Sequence, residues 1–296
     1  MLEFRDISVS DKERICSALQ RSDFMGCEYS FANNMAWRRL AGSKISFYKD
    51  FYICCAFDTE DGIPHFILPA GCGDYKELFS ELKKFTSDLG CPLVMTGVTD
   101  NSLKMFGELF PDAFTYELDR DSSDYIYLTR DFISLKGKKY HGKRNHLARF
   151  SELDYSYSPI TEKDFDDCIT FCTAEYNERQ DKADHSFIAE QFAINTYFSY
   201  FNELELKGGI IRIGGKAAAV TIGEKLNSNT FCVHIEKADT SFNGIYTGIS
   251  HLFAEREASG FEYINREEDL GIEGLRRSKL SYNPAFLLNK YTVIFK

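Results

Sequence analysis

The chain has 296 residues, with 35 Lys and Arg against 45 Asp and Glu, and its formal net charge is -10 at pH 7. Hydrophobic residues make up 44% of it, which is typical of a folded globular protein and excludes a disordered or fibrous one. No apolar run reaches the roughly 18 residues of a membrane span, and the negative charge argues against a nucleic-acid coat protein, so we expect no DNA partner.

The nine cysteines predict reduced, mostly buried thiols. They include no CxxC pair and no His/Cys spacing of a zinc site. The first twenty residues are charged throughout and lack the apolar core of a signal peptide. We therefore expect a cytoplasmic protein without a metal centre.

The first half of the chain alternates between strand and helix patterns. FYICCAF and IPHFILPA predict a hairpin, and DYKELFSELKKFTSDLG predicts a helix that starts at Asp74 and stops near Gly90. TYELDR and DYIYLTR predict a strand pair that turns at residues 121–123. Beyond it, a capping box of Thr161 and Asp164 predicts the start of another helix.

The second half repeats part of this order. GIIRI and AAAVTIGE predict a hairpin that turns at Gly214 and Gly215, and TFCVHIEKA predicts a further strand. A helix in GIYTGISHLFAEREASG and a strand in FEYIN follow. Three positions of the first half match three of the second at a constant offset, namely Leu82 with Leu252, Gly90 with Gly260 and Val94 with Ile264. We interpret this as two copies of one α/β unit, residues 1–125 and 126–296, with chance as the alternative.

The two copies differ in the charge at one strand end. The strand that precedes the helix ends without charge in the first copy, in FILPAGCGDY, whereas its counterpart VHIEKADTSFNGIYTG brings Glu236 and Lys237 to this position. Open α/β sheets bind ligands where strands end and helices begin, and helix N-termini offer N–H groups to anions. We expect a degenerate first copy and an active site in the second.

A basic segment opens the second copy. KGKKYHGKRNHLARF, residues 136–150, contains six Lys or Arg and no acidic residue. Lys143, Arg144 and Arg149 are candidates for contacts with the phosphates of tRNA or CoA, and interleaved aromatic side chains favour stacking. The alternative is a solvated, charged linker between the copies.

Four segments together resemble the C-terminal catalytic region of phosphatidylglycerol lysyltransferases. They are VHIEKA, NGIYTGIS, INREEDLGIEGLRRSKLSYNP and GKKYHGKRNHLARF, and the resemblance covers roughly residues 20–296. It implies a duplicated GNAT-like acyltransferase fold of mixed sheets flanked by helices, related to the Fem-type transferases that use aminoacyl-tRNA. We expect the chain to differ from the lipid-modifying enzymes in having no multi-helix membrane region. Its loop SFNGIYTG lacks the complete phosphate loop of acetyl-CoA users, which weakens a CoA-dependent reaction.

Acyl transfer requires a base, donors to the tetrahedral oxyanion and an anchor for the donor's phosphates. We expect Glu236 to be the base or the anchor of an amino acid's ammonium group, with an ordinary ion pair as the alternative. Glu268 is the second catalytic candidate, and helix capping is its alternative role. For the neighbouring Asp269, capping is the expected role.

Six further residues are donor-binding candidates near these carboxylates. They are Lys237, Asn243, Gly244, Tyr246, Arg276 and Lys279. Surface pairing with Glu273 or Glu268 is the alternative for the last two, and core packing for the tyrosine. Gly271 and Gly274 favour a ligand-binding rim over a plain solvated helix, since each costs about 1 kcal/mol inside a helix. His234 and His251 have no acidic partner nearby in sequence, so we expect core or surface histidines.

These observations together predict an acyltransferase that moves an aminoacyl group from aminoacyl-tRNA to an amine or hydroxyl. The acceptor would be a small molecule, a peptide or a lipid head group. Two alternatives stay open, an acetyl-CoA-dependent N-acetyltransferase and a non-catalytic binding module that kept the fold. The donor, aminoacyl-tRNA or acyl-CoA, is the only cofactor-like group expected, and tRNA is the expected macromolecular partner.

Overall fold

A computed structural model of the protein describes residues 2–178 and 185–296. The chain divides into two units. Unit 1 comprises Met1–Asp124, Glu268–Gly271 and Leu287–Lys296, and unit 2 comprises Tyr125–Glu267 and Ile272–Phe286. Two short segments near the C-terminus therefore belong with the first unit, whereas the sequence pattern placed all of residues 126–296 in the second copy.

The described residues form ten α-helices and eleven β-strands, with short single-turn helices between some of them. The helices are α1 Lys12–Ser22, α2 Phe31–Trp37, α3 Tyr75–Asp88, α4 Asp100–Leu109, α5 Thr129–Ser134, α6 His141–Phe150, α7 Phe165–Glu178, α8 His185–Ser199, α9 Ile245–Phe253 and α10 Glu273–Leu280. The strands are β1 Ser43–Tyr48, β2 Phe51–Ala56, β3 His65–Ile67, β4 Leu93–Val98, β5 Phe114–Leu128, β6 Tyr155–Pro159, β7 Lys207–Ile213, β8 Lys216–Lys225, β9 Thr230–Ala238, β10 Tyr263–Asn265 and β11 Phe286–Phe295. Among these residues, no helix is long and apolar enough to cross a membrane.

The sheet of unit 1 has the strand order β1-β2-β3-β4-β11-β5. β1, β2 and β3 form an antiparallel meander, and α3 then connects β3 to β4, which run parallel. β11 pairs antiparallel with β4, which explains why the last ten residues belong to this unit. An apolar core that includes Leu78, Leu82 and a group of phenylalanines fills this unit.

The sheet of unit 2 has the order β5-β10-β9-β8-β7-β6 and repeats the same plan. β7, β8 and β9 are antiparallel neighbours, and α9 then connects β9 to β10, which run parallel. The last residues of β5 pair antiparallel with β10. The predicted repeat of hairpin, helix and strand is therefore present in both units.

Local sequence signals account for several of these elements. The carboxylate of Asp74 accepts hydrogen bonds from the backbone N–H groups of Lys76 and Glu77 and so begins α3. Thr161 and Asp164 form the predicted capping box before α7. The turn between β7 and β8 is made by Gly214 and Gly215, whose φ angles are +57° and +78°.

The predicted turn at residues 121–123 is wrong. β5 continues through it as one strand of 15 residues, and Ser123 and Asp124 are fully buried. The first part of β5 has β11 as a neighbour in unit 1, and its last part pairs with β10 in unit 2. Hydrogen bonding along the strand thus outweighs the turn preference of its Asp and Ser residues.

Candidate active site

Glu236 and Arg266 form a buried ion pair in unit 2. Glu236 lies near the end of β9, and Arg266 directly follows β10, the parallel neighbour of β9. The guanidinium Nη2 donates to the carboxylate Oε1 at 2.7 Å, and the two side chains are only 11% and 10% exposed. The strand end singled out from the sequence therefore carries a charged pair, of which only Glu236 was predicted.

Arg266 has a second guanidinium nitrogen that is not used by this ion pair. Its Nη1 atom is buried, and no described residue accepts a hydrogen bond from it. Arg266 and Glu236 also line a small pocket together with Phe132, Ser250, Phe253 and Ile264. A buried donor without a partner costs free energy, so a group that pairs with it on binding recovers that cost.

Two further groups complete what we call the Arg266 site, defined as Arg266, Glu236, Lys143 and Tyr282. The Lys143 ammonium lies 3.5 Å from the centroid of the Tyr282 ring, and the Arg266 guanidinium lies 5.0 Å from the same centroid. Burial lowers the pKa of Lys143 to about 8, and the positive charge of Arg266 acts in the same direction. An amine in this range exchanges protons readily near neutral pH.

Lys279 contacts the backbone of Arg266. Lys279 of α10 is buried, and its ammonium donates to the carbonyl oxygen of Arg266 at 2.6 Å. The carbonyl of Lys279 in turn accepts a hydrogen bond from the Tyr127 hydroxyl at 2.8 Å. Lys279 was predicted to bind a donor, but in this structure it positions Arg266.

The turn before α9 is shaped by close packing. Gly244 has a φ of +86°, and a Cβ atom there would clash with the carbonyl oxygen of His146 in α6. One turn later, Gly248 lies against the ring of Phe150. The basic segment is thus helix α6 packed on the start of α9, and not the linker considered as its alternative. Asn243 and Tyr246 flank this turn with exposed side chains.

Other predicted contacts of the basic and charged segments have partners within the protein. Arg144 donates to the carbonyl oxygens of Leu135 and Gly137 and thereby caps the end of α5. Lys237 forms an ion pair with Glu190 at 3.0 Å. Arg149 is exposed on α6, so it remains accessible to a ligand phosphate.

Glu268 and Asp269 precede α10, but they belong to unit 1, and Asp269 does not cap this helix. Asp269 is fully buried, pairs with Arg120 at 3.2 Å and accepts the N–H of Gly271. α10 begins four residues later, so the predicted capping role of Asp269 is wrong. Gly271 has a φ of +72° at this turn, which explains one of the two glycines. Gly274 lies in the first turn of α10, and Arg276 follows it there, half-buried.

Glu268 joins a buried cluster within unit 1. Its Oε2 atom lies 3.4 Å from the Cys27 sulfur, which also contacts Asp124 at 3.4 Å. Lys290 of β11 donates to Asp124 at 2.6 Å and pairs with Glu28 at 2.7 Å. The second predicted catalytic carboxylate is therefore part of a charge cluster whose other members the sequence pattern did not reveal.

Unit 2 contains a second charged cluster, around His234. Its ring nitrogens Nδ1 and Nε2 lie 2.8 Å from Glu267 and 3.0 Å from Glu224, and the ring stacks on Tyr197. His234 is a core residue, as predicted, and its acidic partners are distant in sequence: Glu224 lies on the neighbouring strand β8, and Glu267 lies two residues after β10. His251 is half-buried on α9, and its Nδ1 has no partner among the described residues.

Arg266 and Lys290 are the functional candidates that sequence reasoning missed. Each is a basic residue in or directly after a strand with buried apolar neighbours. Long basic side chains are rarely buried unless they are paired. Applied to the strands FEYIN and FLLNKYTVIF, this rule would have indicated that the basic residue in or after each strand has an acidic partner.

Comparisons with known proteins identify a matching family and solved structures with a similar fold. Residues 19–294 match the family described as "Phosphatidylglycerol lysyltransferase, C-terminal". A conserved protein of unknown function from Bacteroides thetaiotaomicron VPI-5482 is 36% identical, with a TM-score of 0.93 and 100% coverage of both chains. The L-PGS structure from Bacillus licheniformis has a TM-score of 0.68 at 13% identity, over 97% of this chain and 92% of that one. FemX has a TM-score of 0.61 at 8% identity, over 98% and 96%.

A curated relative extends the comparison to a longer protein. The uncharacterized protein MYCGA3080 of Mycoplasmoides gallisepticum (strain R(low / passage 15 / clone 2)) is 25% identical over 175 residues, which are 58% of this chain and 56% of that protein. The match thus spans about half the length of that relative. Since the family match extends from residue 19 to residue 294 and the structure has the expected mixed α/β architecture, the chain belongs to the phosphatidylglycerol lysyltransferase C-terminal family.

Proposed function

We propose that the protein is an aminoacyltransferase that uses the Arg266 site to move an aminoacyl group from aminoacyl-tRNA to an amine or hydroxyl. The observation that carries this proposal is the buried, unpartnered Nη1 donor of Arg266 at the pocket. Attack on an ester carbonyl places a negative charge on its oxygen, and a fixed donor in a dry site stabilises that charge strongly. Membership of the family supports the reaction class.

In this reaction each residue of the site has a distinct task. The neutral amine of Lys143 accepts the proton that the attacking amine or hydroxyl loses, and its pKa of about 8 suits that task. Nη1 of Arg266 donates to the oxyanion of the tetrahedral intermediate. The bond from the carbonyl carbon to the tRNA ribose oxygen then breaks, and that oxygen takes the proton from the Lys143 ammonium, which returns to the neutral amine. Glu236 and Lys279 are positioning residues, since both hold Arg266.

The basic helix α6 supports tRNA as the donor. It combines Lys143 at the site with the exposed Arg149. Phosphate contacts of this kind supply affinity for nucleic acid without reading its sequence. Because the overall charge is -10, contact with tRNA requires a local basic surface of this kind.

The test uses the purified chain, bacterial tRNA charged with labelled amino acids, and two acceptors offered separately. One acceptor is a vesicle that contains phosphatidylglycerol, and the other is a soluble amine such as glycinamide. We expect labelled adduct and loss of the aminoacyl ester from tRNA. Arg266→Lys keeps the positive charge but loses the planar set of guanidinium N–H donors. The substitution should therefore lower the transfer rate by roughly 10²- to 10³-fold. Lys139→Met, at an exposed position of the same basic segment, is the matched control.

Three other outcomes would contradict this proposal, and two of them would support a different function. Acetyl transfer from acetyl-CoA without turnover of charged tRNA would support the N-acetyltransferase alternative. Salt-dependent tRNA binding without any transfer would support a binding module. A wild-type rate in Arg266→Lys would remove this site from the reaction.

A further inference from the structure

The Cys232–His234–Glu267 cluster of unit 2 brings together three kinds of metal-binding atom. The sulfur of Cys232 lies 3.8 Å from Nδ1 of His234 and 4.0 Å from Oε1 of Glu267, and the last two atoms lie 2.8 Å apart. Cys232 is fully buried, the His234 side chain is inaccessible, and Glu267 is only slightly exposed. Thiolate, imidazole and carboxylate are the three ligand types that proteins offer to zinc.

The hydrogen-bonding pattern of His234 points to a cation. Both ring nitrogens face carboxylate oxygens, Nδ1 facing Glu267 and Nε2 facing Glu224. A neutral imidazole has one donor and one acceptor nitrogen, so it satisfies only one of these contacts. A ring with a second proton satisfies both contacts, and so does a neutral ring whose Nδ1 shares a cation with the Glu267 carboxylate.

The geometry fits a tetrahedral ion with small side-chain adjustments. Zinc–ligand bonds of 2.0 to 2.3 Å place neighbouring ligand atoms about 3.3 to 3.6 Å apart. The three observed separations, 2.8, 3.8 and 4.0 Å, bracket these values. Glu224 occupies the position of a supporting carboxylate, since it accepts from the other ring nitrogen as the outer partner of a metal-bound histidine usually does.

The comparable cluster of unit 1 is unsuited to a metal. The liganding atoms of Cys27, Asp124 and Glu268 also lie within 4.8 Å of one another. The ammonium of Lys290 lies 2.6 Å from Asp124 and 3.5 Å from the Cys27 sulfur, so a positive charge is already present there. In the cluster of unit 2, the imidazole of His234 is itself a metal ligand once it is neutral.

We propose that Cys232, His234 and Glu267 bind a zinc ion, with Glu224 as the outer-shell partner of His234. Zinc is favoured over magnesium or calcium because the set includes a thiolate and an imidazole. The ion binds to β9, which also carries Glu236, and to Glu267, which directly follows Arg266. The ion would therefore hold together β9 and the segment after β10, which carry two residues of the Arg266 site.

The test uses the full chain, stripped with a chelator and then titrated with Co²⁺, which replaces zinc and reports on its ligands. We expect one equivalent of Co²⁺, an intense near-ultraviolet thiolate-to-cobalt band, and displacement of Co²⁺ by Zn²⁺. Cys232→Ser should abolish the thiolate band. Cys168→Ser, which alters another buried cysteine of unit 2 outside the cluster, should keep it. Glu224→Gln should weaken metal binding by about 10- to 100-fold.

Two results would overturn the zinc site. The first is a wild-type protein that folds but shows no thiolate band, which would leave His234 as a protonated ring between two carboxylates. The second is a band that persists in Cys232→Ser. The aminoacyl-transfer proposal is tested separately, because Arg266→Lys should bind Co²⁺ as the wild type does, whatever its transfer rate.

Discussion

The ammonium of Lys290 lies 2.6 Å from the Asp124 carboxylate, and the two side chains are only 3% and 0% exposed. Glu28 also pairs with Lys290, at 2.7 Å. Two carboxylates within unit 1 thus contact one buried ammonium. Removing one partner of a buried pair leaves the others without compensation, and this costs more than the pair itself contributes.

Lys290→Met should therefore destabilise the protein by about 3–5 kcal/mol, measured as the free energy of unfolding in urea. Lys49→Met is the control in the same unit, since Lys49 pairs with Glu77 at the surface. That change should cost no more than about 1 kcal/mol. Equal losses in the two variants would contradict the role given to the buried cluster.

The stability of the protein should fall as the pH rises from about 5 to 8, in part because of Glu28. Burial raises the pKa of its carboxyl to about 7, and the negative charge of Asp124 acts in the same direction. The unfolded chain has an ordinary glutamate pKa near 4.3. Between these values the folded state binds the extra proton, so its stabilising effect is present at low pH and is lost as pH rises through the folded pKa.

The measurement is the melting temperature at pH 5, 6, 7 and 8. Glu28→Gln should flatten the fall seen in the wild type, because the amide does not titrate. Glu108→Gln, at an exposed position of α4, should leave the wild-type slope unchanged. A slope that is the same in Glu28→Gln and the wild type would rule out Glu28 as its source.

Lys143 should react with amine-directed reagents at lower pH than an ordinary lysine. Such reagents attack the neutral amine, and the pKa of Lys143 is lowered to about 8 by burial and by the charge of Arg266. We expect the labelling rate, followed by mass spectrometry, to rise through pH 8, with the exposed Lys139 as the internal comparison. Arg266→Met removes one of the two causes, so the midpoint for Lys143 should move upward. An unmoved midpoint would mean that Arg266 does not act on Lys143.

Gly244→Ala should destabilise the protein by more than about 1 kcal/mol, because its φ of +86° disfavours any side chain. The added Cβ would also meet the His146 carbonyl oxygen. Gly142→Ala is the matched control, since it lies in α6 with open space around it and should stabilise by up to about 1 kcal/mol. Thermal or urea unfolding of the two variants measures the difference. A neutral Gly244→Ala would show that the turn relaxes freely.

Some features of this protein follow from short stretches of sequence. Asp74 and the pair of Thr161 and Asp164 begin helices where predicted, because a cap bonds to backbone groups two or three residues away. The Gly214–Gly215 turn was equally readable, since its positive φ angles favour glycine. The repeat of hairpin, helix and strand followed from hydrophobic periodicity, and both units contain it.

Other features depend on residues that are distant in sequence. β5 passes straight through an apparent turn because strands from far along the chain lie beside it. Asp269 was predicted to cap a helix because it precedes one. In the structure it instead accepts a hydrogen bond from Arg120, which is 149 residues away in sequence.

The sequence by itself thus determined the repeated architecture, the main helix starts and the position of Glu236 near a strand end. Only the tertiary structure decided which groups meet there. Arg266 is 30 residues from Glu236, and Glu267 is 33 residues from His234. The parallel pairing of β9 with β10 brings these side chains together. Short sequence patterns do not predict these ion pairs, because the partners are adjacent only once the strands have paired in the sheet.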